Sequence, residues 1–158
     1  MEELRDLLHE CGFEQVKTYI QSGNVVFRSA QDDPSVLPDT VSKAVKNSHG
    51  FEPRVWILPV DEFTQAVEKN PYGHATERPK ALHLFFLSAK PEDPDREGLE
   101  ALRSETEEFE IRGRVFYLYA PDGIGRSKLA AKVEKLLGVQ TTSRNWRTVS
   151  KIAEMIND

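Results

Sequence analysis

Helical spacing of apolar residues marks both ends of the chain. Near the N-terminus, Leu4, Leu7, Leu8 and Cys11 recur at intervals of three and four residues, and Gly12 follows where a helix commonly ends. The C-terminal segment has the same spacing, and its apolar stripe consists of Trp146, Val149, Ile152, Ala153 and Ile156. Both ends therefore predict amphipathic helices.

Between these helices, short runs rich in β-branched and aromatic residues predict strands, and Pro and Gly mark where elements begin and end. In the first half the predicted order is a helix ending near Cys11, strands at 16–20 and 24–29, a helix from Pro34 to Gly50, a strand at 54–58 and a helix after Pro59. In the second half it is a strand at 81–88, a helix at 95–104, strands at 109–111 and 115–119, a helix at 127–137, a strand at 139–142 and the last helix.

The two halves match if one leading strand is missing from the first. The order β-α-β-β-α-β is the split unit of ferredoxin-like folds, in which an antiparallel sheet of strand order 4-1-3-2 has helices on one face. Residues 70–79 change to Pro, Gly, His and charge, as expected of a boundary. We therefore predict an α+β protein of tandem ferredoxin-like (α/β-plait) units. The first, incomplete unit spans 1–73, and the second, with the C-terminal helix, spans 80–158.

Composition narrows the classes of function. The 158 residues carry 21 basic and 26 acidic side chains, a net charge of -5, which argues against wholesale coating of nucleic acid or an anionic membrane. The single cysteine, Cys11, excludes an intrachain disulfide and fits a reducing cytoplasm. No apolar run is long enough for a membrane helix, and the N-terminus does not have the pattern of a signal peptide. We expect a cytoplasmic protein.

Two stretches resemble the signature stretches of a bacterial family known as domain of unknown function 1697. They are residues 18–27, Thr-Tyr-Ile-Gln-Ser-Gly-Asn-Val-Val-Phe, and residues 142–148, Thr-Ser-Arg-Asn-Trp-Arg-Thr, and the similarity runs over the whole chain. The resemblance implies a tandem α/β-plait fold and no firm activity. Members usually begin with an apolar strand and a glycine-rich loop ahead of the residue equivalent to Met1, so we expect the first unit to lack both.

The strongest candidate for chemistry is the stretch 142–148, at the start of the last helix. Thr142, Ser143 or Asn145 can cap that helix, whose first N–H groups attract anions. Arg144 and Arg147 add guanidinium groups suited to phosphate or carboxylate. In the alternative interpretation these residues only cap the helix, Trp146 packs in the core and the arginines pair with glutamates.

A second candidate is the glycine-containing loop 122–128, Asp-Gly-Ile-Gly-Arg-Ser-Lys, which leads from a strand into a helix. Its spacing is neither that of a Walker motif nor that of the dinucleotide fingerprint, and Ser127 could simply cap the helix. From Arg126 to Lys151 the only acidic residue is Glu134, so Arg126 and Lys128 belong to a locally basic region. That region would suit an anionic ligand, although a solvated lysine face is the alternative.

The first hairpin supplies a third set, Gln21, Ser22 and Asn24, whose polar side chains could contact a ligand but are also what a tight turn requires. Aromatic residues on the strands could stack RNA bases, as in plait folds that bind RNA. The residues weighed for this role are Phe27, Phe85, Phe116, Tyr117 and Tyr119. One alternating set on each strand must face the helices, so RNA binding is not expected.

The four histidines have no metal-ligand spacing, and Cys11 has no second thiol, so we predict neither a metal site nor a cofactor. No catalytic pattern can be assembled from the sequence. The first hypothesis is an uncharacterised cytoplasmic protein that binds a small anionic ligand or nucleotide at its basic C-terminal region. The alternatives are an enzyme of phosphoryl- or acyl-group chemistry in an inter-domain groove, and an assembly module. A homo-oligomer stays open, and no membrane contact is expected.

Overall fold

The structure is a computed structural model that describes residues 2–19, 23–31 and 33–157. The predicted α+β class is confirmed by two antiparallel sheets and the helices packed beside them. The elements are α1 (Glu2–Glu10), β1 (Glu14–Tyr19), β2 (Asn24–Arg28), α2 (Leu37–His49), α3 (Val60–Glu68), β3 (Leu82–Leu87), α4 (Arg96–Leu102), β4 (Glu108–Arg112), β5 (Val115–Tyr119), α5 (Lys128–Leu137), β6 (Thr141–Asn145) and α6 (Trp146–Asn157).

The chain forms two compact units. One contains the residues up to Thr64 together with those from Lys151 onward, and the other is Gln65–Ser150. The sequence predicts that two plait units meet at residues 73–80. The division into compact units does not test that boundary, so it stays a prediction. Among the described residues, no helix is both long enough and apolar enough to cross a membrane.

The sheet of the second unit has strands in the order β4-β5-β3-β6, all antiparallel. Numbered along the chain within this unit, that is the order 4-1-3-2 expected for the second half. The first strand, β3, lies in the centre of the sheet, and its run Leu-His-Leu-Phe-Phe-Leu is buried at every position. A run that is apolar at every position except His83 suits a strand that is covered on both faces.

Helices α4 and α5 cover one face of this sheet. Leu129, Val133 and Leu137 recur every four residues along α5, and Leu99 joins them from α4. They pack on the inward set of strand side chains, which includes Phe85. Gly138 ends α5 at a φ of 74°, a left-handed conformation that favours glycine.

The opposite face of the same sheet is also buried. Leu82, Leu84 and Tyr117 have no exposed surface. The Tyr117 hydroxyl donates a hydrogen bond of 2.6 Å to the carbonyl oxygen of Ala66 in α3. A phenol can be buried at this position because its one polar atom has a partner.

The first unit is built around the hairpin of β1 and β2, which pair only with each other among the described strands. Helices α1 and α2 supply Leu8 and Val41 to its core, and the rings of Phe13 and Phe27 stack at 4.4 Å between centroids. Lys17 Nζ donates to the carbonyl oxygen of Met155, also in this unit.

Two strand predictions need correction. The strand predicted at 54–58 is wrong, because residues 51–59 form no strand. Val55 and Ile57 still pack against the first core, so the apolar alternation is satisfied by side-chain burial without a ladder. The last strand was predicted at 139–142 but runs from Thr141 to Asn145, in register with β3.

Candidate functional site

A cleft of about 540 Å³ lies at one end of the second sheet, where β3 begins and β5 ends. Antiparallel pairing creates it, because Leu82 lies opposite Tyr119 and His83 lies opposite Asn145. The chain entering β3, the chain leaving β5 and the first turn of α6 therefore meet there. The lining residues are Arg78, Pro79, Lys80, Ala81, Ala120, Pro121, Gly123 and Arg147.

Arg147 is the cation that α6 brings to the cleft. Its side chain is exposed, and it makes no hydrogen bond or ion pair with any residue that the structure describes. The helix start beside it is fixed by Asn145, whose Oδ1 accepts a 3.0 Å hydrogen bond from the N–H of Thr148. A helix start carries partial positive charge, so it adds to the charge of the guanidinium.

Arg78 is held in place from both sides. Its Nη1 donates to the hydroxyl oxygen of Tyr119 at 3.2 Å, and its Nη2 donates to the carbonyl oxygen of Pro121 at 3.1 Å. A guanidinium has five N–H donors, so these two bonds orient the group and leave others for a ligand. The Arg78 guanidinium is therefore already oriented before a ligand binds, whereas no described hydrogen bond orients that of Arg147.

All described charged residues that line the cleft are positive. Arg78, Lys80 and Arg147 carry positive charge, and none of the described lining residues is acidic. Two acids are neighbours of lining residues in sequence: Glu77, which is exposed, and Asp122, whose Oδ2 accepts a hydrogen bond from the Thr106 hydroxyl. The net charge of the chain is -5, so the positive charge of the cleft is opposite in sign to that of the protein as a whole.

His83 supports the cleft from the core. Its Nε2 lies 3.0 Å from the carbonyl oxygen of Lys80, which can only accept, so Nε2 carries the proton. Burial lowers the pKa of His83, while the bond to the Lys80 carbonyl acts in the opposite direction. The imidazole therefore holds the Lys80 turn as a neutral ring at neutral pH.

Thr142 and Arg144 were predicted to act beside Arg147, but they are not among the described residues that line the cleft. Arg144 Nη1 donates to Thr142 Oγ1 at 3.2 Å and to the carbonyl oxygen of Ser143 at 2.7 Å. Burial lowers the pKa of Arg144. Strand alternation separates these side chains from Asn145, which caps the helix.

Arg126 and Lys128 are exposed and flank Ser127, outside the described lining of the cleft. Ser127 caps α5, since its Oγ accepts a 3.0 Å hydrogen bond from the N–H of Ala130. The loop does contribute Gly123 to the cleft. The two sequence candidates, 122–128 and 142–148, thus meet at one site through Gly123 and Arg147, and the ligand-binding roles of Arg126 and Lys128 stay predictions.

In the first hairpin, Gln21 and Ser22 lie outside the described residues. Asn24 is buried at the start of β2, and its Nδ2 donates a 3.5 Å hydrogen bond to the carbonyl oxygen of Tyr19. This contact ties the two strands together, as the turn interpretation of Asn24 requires.

The aromatic residues weighed for base stacking take part in packing. Phe85 and Phe116 belong to the helix-side core, Tyr117 is fully buried and Phe27 stacks on Phe13. Tyr119 is half-buried and bonded to Arg78. Among the described residues, no group of three or more His, Cys, Asp or Glu side chains could hold a metal ion.

Sequence reasoning missed Arg78 and Lys80. They lie in a segment interpreted as a boundary, and in sequence they are far from Arg147. The sequence contained a signal for these two cations. Arg-Pro-Lys stands directly before the predicted strand at 81–88, and the predicted strand order places the start of that strand beside the end of β6.

Comparisons with known proteins place the chain in a family. A family model described as protein of unknown function (DUF1697) matches residues 1–117. The chain belongs to the DUF1697 family. The family resemblance is thereby confirmed over residues 1–117, which include the stretch 18–27, whereas the stretch 142–148 lies beyond the matched range, which ends within β5. It includes Arg78 and Lys80 but not Arg147.

A solved structure has the same fold as this DUF1697 chain. It is the conserved bacterial protein SP0830 from Streptococcus pneumoniae, with a TM-score of 0.68 and 24% sequence identity over 100% of this chain and 89% of that one. At this identity the likeness concerns the fold alone. No curated protein matches the chain.

Proposed function

We propose that this protein binds a small, phosphate-bearing anion in the cleft at the start of α6. The observation that carries the proposal is the set of three cations, Arg78, Lys80 and Arg147, around a cavity with no acidic residue among those described as lining it. The predicted location, the basic C-terminal region, thus narrows to Arg147 together with two cations from before β3.

The physical reason is charge balance. Like charges that share a concave surface repel each other, and the low-dielectric walls strengthen that repulsion. A bound anion replaces the repulsion with charge-assisted hydrogen bonds, of which each is worth about 1.5–3 kcal/mol. Arg147 gains most, because it has no partner among the described residues.

The experiment compares two arginine substitutions. Calorimetric titration with inorganic phosphate and with adenosine monophosphate is carried out on the parent, Arg147→Gln and Arg126→Gln. We expect Arg147→Gln to weaken binding about tenfold or more, because one charge-assisted bond is lost. Arg126→Gln removes the same charge from an exposed arginine outside the cleft lining and should change affinity less than about threefold.

Equal affinities for the parent and Arg147→Gln would refute the proposal. If Arg126→Gln weakened binding as much as Arg147→Gln, the anion would be attracted by the general basic surface and not by the cleft. Melting temperatures of both variants without ligand show whether either substitution has disturbed the fold.

We also propose that the whole chain is a tandem of ferredoxin-like units, of which the first lacks its leading strand. Support comes from the order β4-β5-β3-β6 in the second unit, and from the order helix, hairpin and helix in the first. The segment 54–58, half-buried from Val55 onward, stands where a fourth strand would follow. Amide hydrogen exchange along β2 and β5 tests this proposal.

A cytoplasmic location remains part of the proposal, supported by the lone Cys11, and recovery of the protein in a secreted fraction would refute it. The enzyme and assembly alternatives stay predictions. The described lining residues supply cations and apolar surface, so binding is the activity that this geometry favours.

A further inference from the structure

The volume of the cleft exceeds what an inorganic anion needs. At about 540 Å³ it is an open cleft, and not an enclosed cavity, with a volume comparable to the roughly 300–1,000 Å³ of sites that hold organic ligands. A single water accounts for roughly 30 Å³ of liquid, so a phosphate ion would leave most of the space to solvent. The volume therefore points to a ligand that has an organic part in addition to a charged group.

The apolar lining residues indicate what kind of organic group would fit. Half of the lining residues are apolar and compact: Pro79, Ala81, Ala120 and Pro121. The two alanines are buried at the junction of β3 and β5, and the two prolines stand half-buried beside them. Proline side chains are compact and conformationally restricted, so a flat ring can pack against them with little loss of side-chain entropy.

The same cleft thus carries two kinds of surface. The apolar residues lie at the start of β3 and the end of β5. The exposed cation Arg147 comes from α6, and the hydrogen-bonded cation Arg78 lies next to Pro79 in sequence. Because the Nη2 of Arg78 donates to the Pro121 carbonyl, the guanidinium is fixed beside the proline wall. A charged head group and a ring body could therefore be recognised together.

We infer that the ligand is an organic phosphate ester with a flat ring, of about mononucleotide size, whose ring packs on Pro79 and Pro121 while its phosphate contacts Arg147, Arg78 and Lys80. This inference rests on the proposed function and goes further, since it assigns the class of ligand. It requires that a ring adds affinity beyond that of the phosphate.

The test uses two ligands with the same head group. Phenyl phosphate and methyl phosphate carry the same charged group and differ in the presence of a ring. Titrated into the full chain, phenyl phosphate should bind about tenfold more tightly, as burial of a ring against apolar walls requires. Adenosine monophosphate should bind at least as tightly as phenyl phosphate, and adenosine without phosphate should bind at least about tenfold more weakly.

Two variants locate the ring. Pro79→Ser and Pro121→Ser each remove one apolar ring and leave all three cations, and should weaken phenyl phosphate about threefold or more while methyl phosphate stays within about twofold. If one variant fails to fold, the other gives the answer. Arg147→Gln should weaken both phosphate esters by a similar factor.

The outcomes separate the two proposals. Equal binding of methyl and phenyl phosphate, both weakened by Arg147→Gln, would overturn the ring inference and leave the anion site intact. Unchanged phenyl phosphate binding in both proline variants would also overturn it. Absence of binding by every phosphate, or binding that Arg147→Gln does not change, would overturn the anion site and the inference with it.

Discussion

At the scale of single residues, the buried phenol of Tyr117 connects local chemistry to stability. Its side chain has no exposed surface, and its hydroxyl donates to the Ala66 carbonyl. Burial raises the pKa of Tyr117 to about 12, because the phenolate would have to give up its hydration; Arg112 lowers and Glu110 raises the value as smaller effects.

Replacing Tyr117 by Phe should lower the free energy of unfolding at neutral pH by about 1–2 kcal/mol, because the Ala66 carbonyl loses its donor in a buried place. Urea denaturation measures the change. Tyr19→Phe is the control, since Tyr19 is half-buried and its hydroxyl has no hydrogen-bond partner among the described residues. It should stay within about 0.5 kcal/mol of the parent.

The stability difference between the parent and Tyr117→Phe should also depend on pH. The folded pKa of Tyr117, about 12, lies above the value of about 10 for an exposed phenol, so its stabilising contribution is complete below about pH 10 and is lost as pH rises through 12. The stability difference between the parent and Tyr117→Phe should therefore shrink between pH 10 and pH 12. A difference that stays constant over that range would show that Tyr117 is not shifted.

The candidate site shows what could be predicted about residues and what could not. The cap by Asn145 and the position of Arg147 in the first turn of α6 follow from local spacing, which a sequence displays directly. Arg78 and Lys80 could not be assigned in that way, because the pairing of β3 with β6 brings them near Arg147. Arg144 directly precedes the cap residue Asn145, but its guanidinium donates to a carbonyl of its own strand.

At the scale of elements, α4 and α5 approach closely at Gly98. A Cβ at this position would lie 2.6 Å from Asp95 Oδ2 and 2.8 Å from Leu136 Cδ2. The carboxylate cannot simply move away, because Asp95 caps α4 by accepting a hydrogen bond from the Gly98 N–H. The glycine is therefore required for helix contact and not for a special backbone angle.

Gly98→Ala should destabilise the protein by about 1–3 kcal/mol through overpacking and weakening of the cap, even though alanine is the better helix former by about 1 kcal/mol. Gly125→Ala is the matched control, since nothing lies within 4 Å of its added Cβ. Chemical denaturation measures both. A Gly98→Ala variant as stable as the parent would show that the helices can separate without loss.

Element prediction succeeded where one periodicity determined the structure. The run in β3 and the stripe in α5 required only the burial of apolar side chains, and both form close to where they were expected. The segment 54–58 also alternates, and Val55 and Ile57 are packed, but a strand needs a neighbour for its backbone groups as well. Side-chain pattern alone does not contain that requirement.

At the scale of the whole molecule, the two hairpins differ in their neighbours. β5 is buried at four of its five positions and lies between β3 and β4, whereas β2 is buried only at Asn24 and is paired with β1 alone among the described strands. If the chain is a tandem of plait units, β2 is the counterpart of β5 with one neighbour missing.

Amide hydrogen exchange can detect that missing neighbour. N–H groups along an antiparallel strand point alternately to the two sides, so in β2 those facing β1 should be protected and those facing away should exchange at least about tenfold faster. In β5 consecutive amides should be protected alike. β4, which pairs with β5 alone among the described strands, is the internal control and should show the same alternation as β2. Equal protection of consecutive β2 amides would mean that another strand pairs there, and the tandem proposal with a missing leading strand would be wrong.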